Sequence, residues 1–517
     1  MSHSLRRLSS LLLALLLVAS ACGTADPERR DLADLVDGQG TSTTTAADDD
    51  TDDAEGPPED VGGGTIEWRD AGRGWQSGTL EVPLDHDDPD GETIELALVR
   101  RPADDPDARI GPLLMNPGGP GASGNELALI ATYLFPTEVL DRFDIVGFDP
   151  RGVAESSPVV CGDDEFLDEY TAFDPVPDSP EEREEAEALI EEFAEGCERE
   201  SGDLLAHIHT EAVARDMDLI REALGEEQIN YLGFSYGTFL GATYIELFPE
   251  RVRAAVLDGA YSRSLTPEEM AVGQATGFER SIDAFLAWCE PERCDLAADG
   301  APGERLLAIL DAIDERPLPT DDGRELTVGL AWTAVIMAMY SPALWPSLDA
   351  ALVEADDAED GSALLGLADQ YNDRGLDGEY SNSTFAFVAY NCMDDPPLDG
   401  AEEEALSEAV LEVAPRIGPL FVELPSPCAH WPVEREDAPT GPFSAPDAPP
   451  LLVVATTGDP ATPYTWGVQL ADELETSVLV TVEGDSHTAY GSGNSCVNEL
   501  VDSYLIDLEV PDEPPTC

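Results

Sequence analysis

Gly233-Phe234-Ser235-Tyr236-Gly237 places a hydroxyl between two glycines, where an apolar run (Ile229 to Leu232) meets a helical pattern (Tyr236 to Phe248). A strand turning sharply into a helix holds its central residue at strained backbone angles. It lifts the Ser235 hydroxyl above the sheet edge and sets the Tyr236 N–H where an oxyanion would form. The hydroxyl becomes a nucleophile only when a base takes its proton. Outside the first residues the His are His86, His207, His209, His430 and His487. His487 follows the late apolar run Val478 to Val482, and the loop after the preceding run, Leu451 to Ala455, carries Gly458-Asp459-Pro460-Ala461-Thr462-Pro463. Ser235, Asp459 and His487 therefore stand in the order nucleophile, acid, base. His86 in a turn and His430 beside Cys428 read as structural, and His207 and His209 as capping or surface residues. Asp258, at the end of the run after the elbow, is the rival acid; Asp485 lies too near His487 in sequence to orient its ring.

The second segment with chemical potential is Asn116-Pro117-Gly118-Gly119-Pro120-Gly121-Ala122-Ser123-Gly124. Prolines stiffen this loop while glycines expose backbone N–H groups, and acyl transfer needs such donors fixed before charge develops. Gly118 or Gly119 is the expected second oxyanion donor, beside Tyr236. A phosphate loop is excluded because the 26 basic residues are all Arg, and with no Lys a Schiff base, a kinase site and a Ser–Lys dyad fall too. Against them stand 108 acids, a net charge of −82, so nucleic acid is not an expected partner. The excess sits on the folded part, which points to a salty habitat where screening limits self-repulsion.

These residues need elements to hold them. Leu80 to Pro83, Thr93 to Arg100, Gly111 to Met115, Phe143 to Phe148, Ile229 to Leu232 and Ala254 to Leu257 read as strands, as do Leu451 to Ala455 and Val478 to Val482. Thr210 to Leu224 is a helix with Val213, Met217, Ile220 and Leu224 on one face, and Gly225 terminates it. Strand–helix alternation at both ends of the chain implies a parallel α/β sheet. The stretch from about 265 to 445 lacks that alternation and reads as a helical insertion over the C-terminal edge of the sheet.

The first residues are an address. Arg6-Arg7, the apolar run Leu8 to Val18 and Ala19-Ser20-Ala21 form an export signal, and Ala19-Ser20-Ala21-Cys22 resembles a bacterial lipobox, making Cys22 the expected lipidation site, with ordinary cleavage after Ala21 and secretion as the alternative. Ala25 to Gly64, with 13 acids and two Arg, reads as a disordered tether. The eight remaining Cys suit disulfides in an oxidising compartment, and pairing in sequence order (161–197, 289–294, 392–428, 496–517) gives short loops. No Cys-x-x-Cys spacing favours a metal.

The chain resembles the exported tripeptidyl-aminopeptidase-like branch of the α/β-hydrolases, known from actinobacteria and related to prolyl aminopeptidases. The likeness spans about Ile66 to Cys517. It rests on Val82-Pro83-Leu84-Asp85, the glycine loop, Asp149-Pro150-Arg151-Gly152, Gly233 to Thr238, Phe248-Pro249-Glu250-Arg251-Val252 and Leu257-Asp258-Gly259. It continues through Asp459 to Pro463 and the pair Cys496 and Cys517. It implies an α/β-hydrolase fold with a mostly parallel sheet, flanking helices and a large, mainly helical cap. Its expected divisions are 1–21 signal, 22–64 tether, 65–265 first part of the core, 266–445 cap and 446–517 second part of the core. It implies Ser235 as nucleophile, Asp459 as acid and His487 as base, with Thr462 steadying the acid's loop. An exopeptidase acting on peptide N-termini follows, monomeric, without cofactor, and touching a membrane only through Cys22. An esterase or lipase with the same triad is the alternative, and an inactive binding lipoprotein a third. Asp394 and Asp395 are the expected anions for the substrate amine. Two positions depart from the family pattern: Ser486 precedes His487 where Gly is usual, and Ala154 stands where the Arg-Gly motif usually continues with Gly.

Overall fold

The computed structural model describes residues 64–517 apart from 291, 292, 299, 396, 397, 399, 436, 437 and 512. The expected leader, Cys22 and all of the tether except Gly64 lie outside the described residues. The frame is one nine-stranded sheet. Its first strands are β1 (Arg69–Gly72), β2 (Trp75–Pro83), β3 (Thr93–Arg101), β4 (Gly111–Asn116) and β5 (Phe143–Phe148). Next come β6 (Ile229–Phe234) and β7 (Val252–Asp258). A separate two-stranded ladder follows, β8 (Leu318–Pro319) with β9 (Glu325–Leu326), before β10 (Leu451–Thr456) and β11 (Ser477–Val482) complete the main sheet. The order is β1-β2-β3-β5-β4-β6-β7-β10-β11.

From β5 to β11 every pairing is parallel, whereas β1, β2 and β3 form an antiparallel flank joined to β5. The parallel strands β4, β5 and β10 are buried along their whole length, as helices on both faces require. β2 instead buries Leu80 and Val82 and exposes Thr79 and Glu81, the alternation of a one-sided strand. This is the α/β-hydrolase fold, and the parallel sheet read from the sequence covers six of the nine strands.

The helices that matter to the site are α1 (Gly124–Leu129), α2 (Pro180–Ser201), α3 (Thr210–Ala223) and α4 (Tyr236–Leu247). Between β7 and β10 the chain is helical, with α5 (Pro267–Trp288), α6 (Val328–Met339) and α7 (Ser383–Asp394). Two further helices, α8 (Tyr464–Glu473) and α9 (Ser495–Asp507), lie on either side of β11 in sequence. The α5–α6 region has an apolar cluster of its own, including Phe278, Ile282, Phe285, Trp332 and Leu348. Each face of the sheet carries another: Val213, Met217 and Leu240 belong to one, Leu113, Val256 and Val501 to the other. Thr266 and Glu269 start α5 with a reciprocal capping box.

All four disulfides pair in sequence order: Cys161–Cys197, Cys289–Cys294, Cys392–Cys428 and Cys496–Cys517. Arg151 gives the Asp-Pro-Arg-Gly motif its reason. Its guanidinium is fully buried and forked onto Asp216 of α3, with Nε and Nη2 each 2.7 Å from a carboxylate oxygen. The remaining donors reach the carbonyls of Leu84 and Pro83 at 2.8 and 3.0 Å. His86 Nε2 lies 2.9 Å from Asp216 Oδ1, the structural place expected of it. Asp216→Ala would strand this buried cation, so it should destabilise the fold by about 3–5 kcal/mol, whereas a double change to apolar residues should cost much less. Denaturant melts of both variants check this; equal losses would refute it.

Candidate active site

β6 ends at Phe234, between the ends of β4 and β7, with Gly233 opposite Leu257 and Phe234 opposite Asp258. Ser235 then holds φ +54° and ψ −124°, outside the regions a side chain prefers, and α4 begins at Tyr236. The Ser235 N–H donates to the Asp258 carbonyl at 2.9 Å, and the Ser235 carbonyl accepts from Thr238 N and Oγ1. The strained residue is thus pinned on both sides. Its hydroxyl is half-buried and, among the described residues, makes no hydrogen bond with His487.

The glycine loop closes over this elbow. A Cβ on Gly118 would stand 2.6 Å from the Phe234 carbonyl and 2.9 Å from Ser235 Cβ, and Gly118 itself holds φ +99°. Only glycine tolerates that approach at that angle. The Gly118 N–H donates to Asn116 Oδ1 at 2.9 Å, so of the two expected donors it is already engaged, and the Gly119 N–H is left to point elsewhere. Asp149 holds the far end of the loop, accepting from Ser123 Oγ at 2.5 Å and Asn125 N at 3.2 Å. Burial pushes its carboxyl up, with those hydrogen bonds opposing.

Asp459 and His487 meet across the ends of β10 and β11. Nδ1 of His487 lies 2.9 Å from Asp459 Oδ1 and 3.0 Å from Oδ2. The Asp459 side chain is fully buried and also accepts from Ala461 N, Thr462 N, Thr462 Oγ1 and Thr488 N. Thr462 therefore does what the resemblance implied, steadying the acid. Burial alone would lower the His487 pKa, but the charge of Asp459 and its hydrogen bond outweigh this and raise it, with Asp258 adding to the effect. A Cβ on Gly259 would come within 3.3 Å of His487 Cε1 and 3.0 Å of Thr488 Cγ2, which explains the glycine after Asp258.

Asp258 does not touch the imidazole. Its carboxylate accepts from Ala489 N and Tyr490 N, which removes it as the rival orienting acid. Asp394, expected to meet a substrate amine, is engaged as well. It accepts from Thr210 N at 3.1 Å and Thr210 Oγ1 at 2.6 Å, and pairs with Arg435 at 3.3 Å. Burial pushes its carboxyl up to about 7 although Thr210 and Arg435 oppose this. The same Thr210 hydroxyl lies 2.5 Å from the Tyr236 hydroxyl, which links Asp394 to the residue that follows the elbow serine. Burial of its carboxyl pushes Asp395 up to about 6, although the residue as a whole keeps surface in contact with solvent. His209 caps α3 by accepting from Ala212 N, as one of its expected roles had it.

Tyr340, just past α6, was not legible as a site residue. Its carbonyl accepts the His487 N–H at 2.9 Å and its ring stands edge-on to the imidazole at 5.3 Å. No sequence signal marks it, because a Tyr at a helix end reads as packing.

Comparison with known proteins places the chain among serine hydrolases. A family model described as alpha/beta hydrolase fold matches residues 111–296, and one described as TAP-like protein matches residues 414–517. Serine protease Hip1 of Mycobacterium tuberculosis is 42% identical over 417 residues, covering 78% of this chain and 79% of that protein. Carboxylesterase B of the same species is 41% identical over 406 residues, covering 77% of each. Tripeptidyl aminopeptidase of Streptomyces lividans is 31% identical over 446 residues, covering 80% of this chain and 79% of that protein. The chain belongs to the tripeptidyl-aminopeptidase-like family of α/β-hydrolases.

Proposed function

We propose that the chain is an extracytoplasmic serine peptidase that releases short peptides or residues from peptide N-termini through an acyl-enzyme. The observation that carries this is the buried Asp459–His487 pair, whose loop is tied through Asp258 to the elbow of a serine held at φ +54°. Ser235 attacks the scissile carbonyl while His487 takes its proton, and Asp459 fixes the tautomer and stabilises the imidazolium. The N–H groups of Tyr236 and Gly119 receive the oxyanion; neither is engaged by Asn116 as Gly118 is. His487 then protonates the leaving amine, and water releases the acyl group. Proton transfer requires Ser235 Oγ and His487 Nε2 to lie within hydrogen-bond reach when substrate is bound. Of the two acids considered for the substrate ammonium, Asp394 is already held by Thr210 and Arg435, which leaves Asp395 as the candidate. Four disulfides support an oxidising, exported location. A lipid on Cys22 would supply the membrane contact.

The second reading, an esterase, is favoured by the name of the 41%-identical relative. A panel of unblocked and N-acetylated peptide anilides beside p-nitrophenyl esters separates the two. We expect kcat/KM for the unblocked peptides to exceed that of their acetylated forms by about tenfold or more, the scale of one lost charge-assisted hydrogen bond. Dominant ester turnover with indifference to acetylation would overturn the peptidase reading.

A further inference from the structure

Asp258 is fully buried at the end of β7, yet it takes no part in the steps above. Its two polar groups face in different directions. The main-chain carbonyl accepts the Ser235 N–H at 2.9 Å. The carboxylate accepts Ala489 N at 3.1 and 3.0 Å and Tyr490 N at 2.7 Å, in the loop that carries His487. One residue thus bridges the nucleophile's elbow and the base's loop. Gly259 follows it immediately, and its bare Cα admits the imidazole.

We propose that Asp258 is a positioning residue for the reaction: its carbonyl and carboxylate, tied to the elbow and to the loop of the base, set the separation of Ser235 and His487 and put a second buried charge near the imidazole that Asp459 orients. The proposal rests on the reading of Ser235 and His487 as nucleophile and base. The energetics fit a group kept for more than packing. Burial pushes the Asp258 carboxyl up to about 6, the two N–H donors oppose this, Asp459 adds repulsion and His487 attraction. Two carboxylates beside one imidazole stabilise its cation more than one would. Among the described residues, Asp459 and His487 are the charged groups that act on Asp258. From neighbouring elements, the Tyr490 hydroxyl is turned away to Asp502 of α9, and Tyr340 meets His487 through its ring and carbonyl.

The test measures how the rate of labelling by a fluorophosphonate probe depends on pH, in the wild-type enzyme and in three variants. Asp258→Asn keeps an acceptor for the Tyr490 N–H but loses the charge; its acidic limb should move to lower pH, with the plateau rate within about tenfold of wild type. Asp258→Ala loses both and should show the same shift with a plateau about a hundredfold lower, the scale of a misplaced catalytic group. Asp258→Glu keeps the charge on a longer arm, so its rate should fall while the limb stays near its wild-type position. Limbs that stay in place in both uncharged variants, or that move to higher pH, overturn the proposal. Labelling that survives Ser235→Ala would instead remove the nucleophile reading beneath it.

Discussion

Ser235→Ala should lower kcat for unblocked peptide anilides by about 10⁶-fold and abolish fluorophosphonate labelling while leaving the fold intact. The size follows from what the side chain does: without Oγ there is no covalent intermediate, and the remaining oxyanion donors and binding contacts leave only a residual advantage over water. The intact fold follows from what the side chain does not do. Ser235 Oγ has no protein partner among the described residues, whereas the contacts that pin the elbow come from the Ser235 N–H and carbonyl, which Ala retains. Ala also lacks any bulk that would meet the Gly118 Cα. Thermal unfolding of the variant should therefore stay close to that of the wild type. Retained labelling with an unchanged melt would end the assignment of Ser235, and lost labelling with a collapsed melt would leave the elbow, and not the hydroxyl, responsible.

Asp459→Asn should lower kcat by about 10⁴-fold. The carboxylate accepts the Nδ1 proton of His487, which leaves Nε2 free to receive the proton of Ser235. An amide can present its own N–H to Nδ1, which selects the tautomer with the proton on Nε2 and removes the base. The pH dependence has a definite sign. Burial tends to lower the His487 pKa, and Asp459 is the main influence that raises it. With that charge gone, burial prevails, the pKa falls, and the acidic limb of what activity remains moves to lower pH. Activity needs the neutral imidazole, so the variant should lose proportionately less at acidic pH than at neutral pH. The change should also weaken the fold, since Ala461 N, Thr462 N, Thr462 Oγ1 and Thr488 N all donate to this one carboxylate. A pH–rate profile for the variant alongside a melt checks both; a limb displaced upward would contradict the electrostatic account.

Much of the site was readable because its chemistry is local. The sharp turn at Ser235 needs flanking glycines, and the runs at β4, β6 and β10 are short and apolar enough to be buried strands, with the apolar run of β11 half-buried at the sheet edge. The acid and base each follow a strand directly. What the sequence did not disclose depends on contacts between distant segments. Asn116 takes the Gly118 N–H, a choice between two adjacent glycines that composition cannot make. Asp394 faces Thr210, 184 residues away, so a carboxylate that reads as free is engaged. β1 is exposed throughout and has no alternation to detect. α2 hides a narrow stripe of Ala186, Ile190, Phe193 and Cys197 inside an acidic run. Ala154 shows the opposite case, a departure from the family pattern whose meaning emerges only in three dimensions. It holds φ +46°, a value glycine adopts without strain, and its N–H is held by Asn382 Oδ1 from the start of α7 at 2.8 Å. That clasp supports a conformation the side chain disfavours.

The contact of Tyr340 with His487 bears on how this protein can be recombined. The helical stretch between β7 and β10 looks like an exchangeable cassette, entering and leaving the sheet through neighbouring strands. Yet it delivers a carbonyl to the backbone of the base and a ring to its imidazole. A chimera that imports this stretch from a relative must import an acceptor at the same spot or lose the registration of its own histidine. The productive crossover points are therefore those that keep Tyr340 and the residues after β11 from a single parent, even though 147 positions of chain separate Tyr340 from His487.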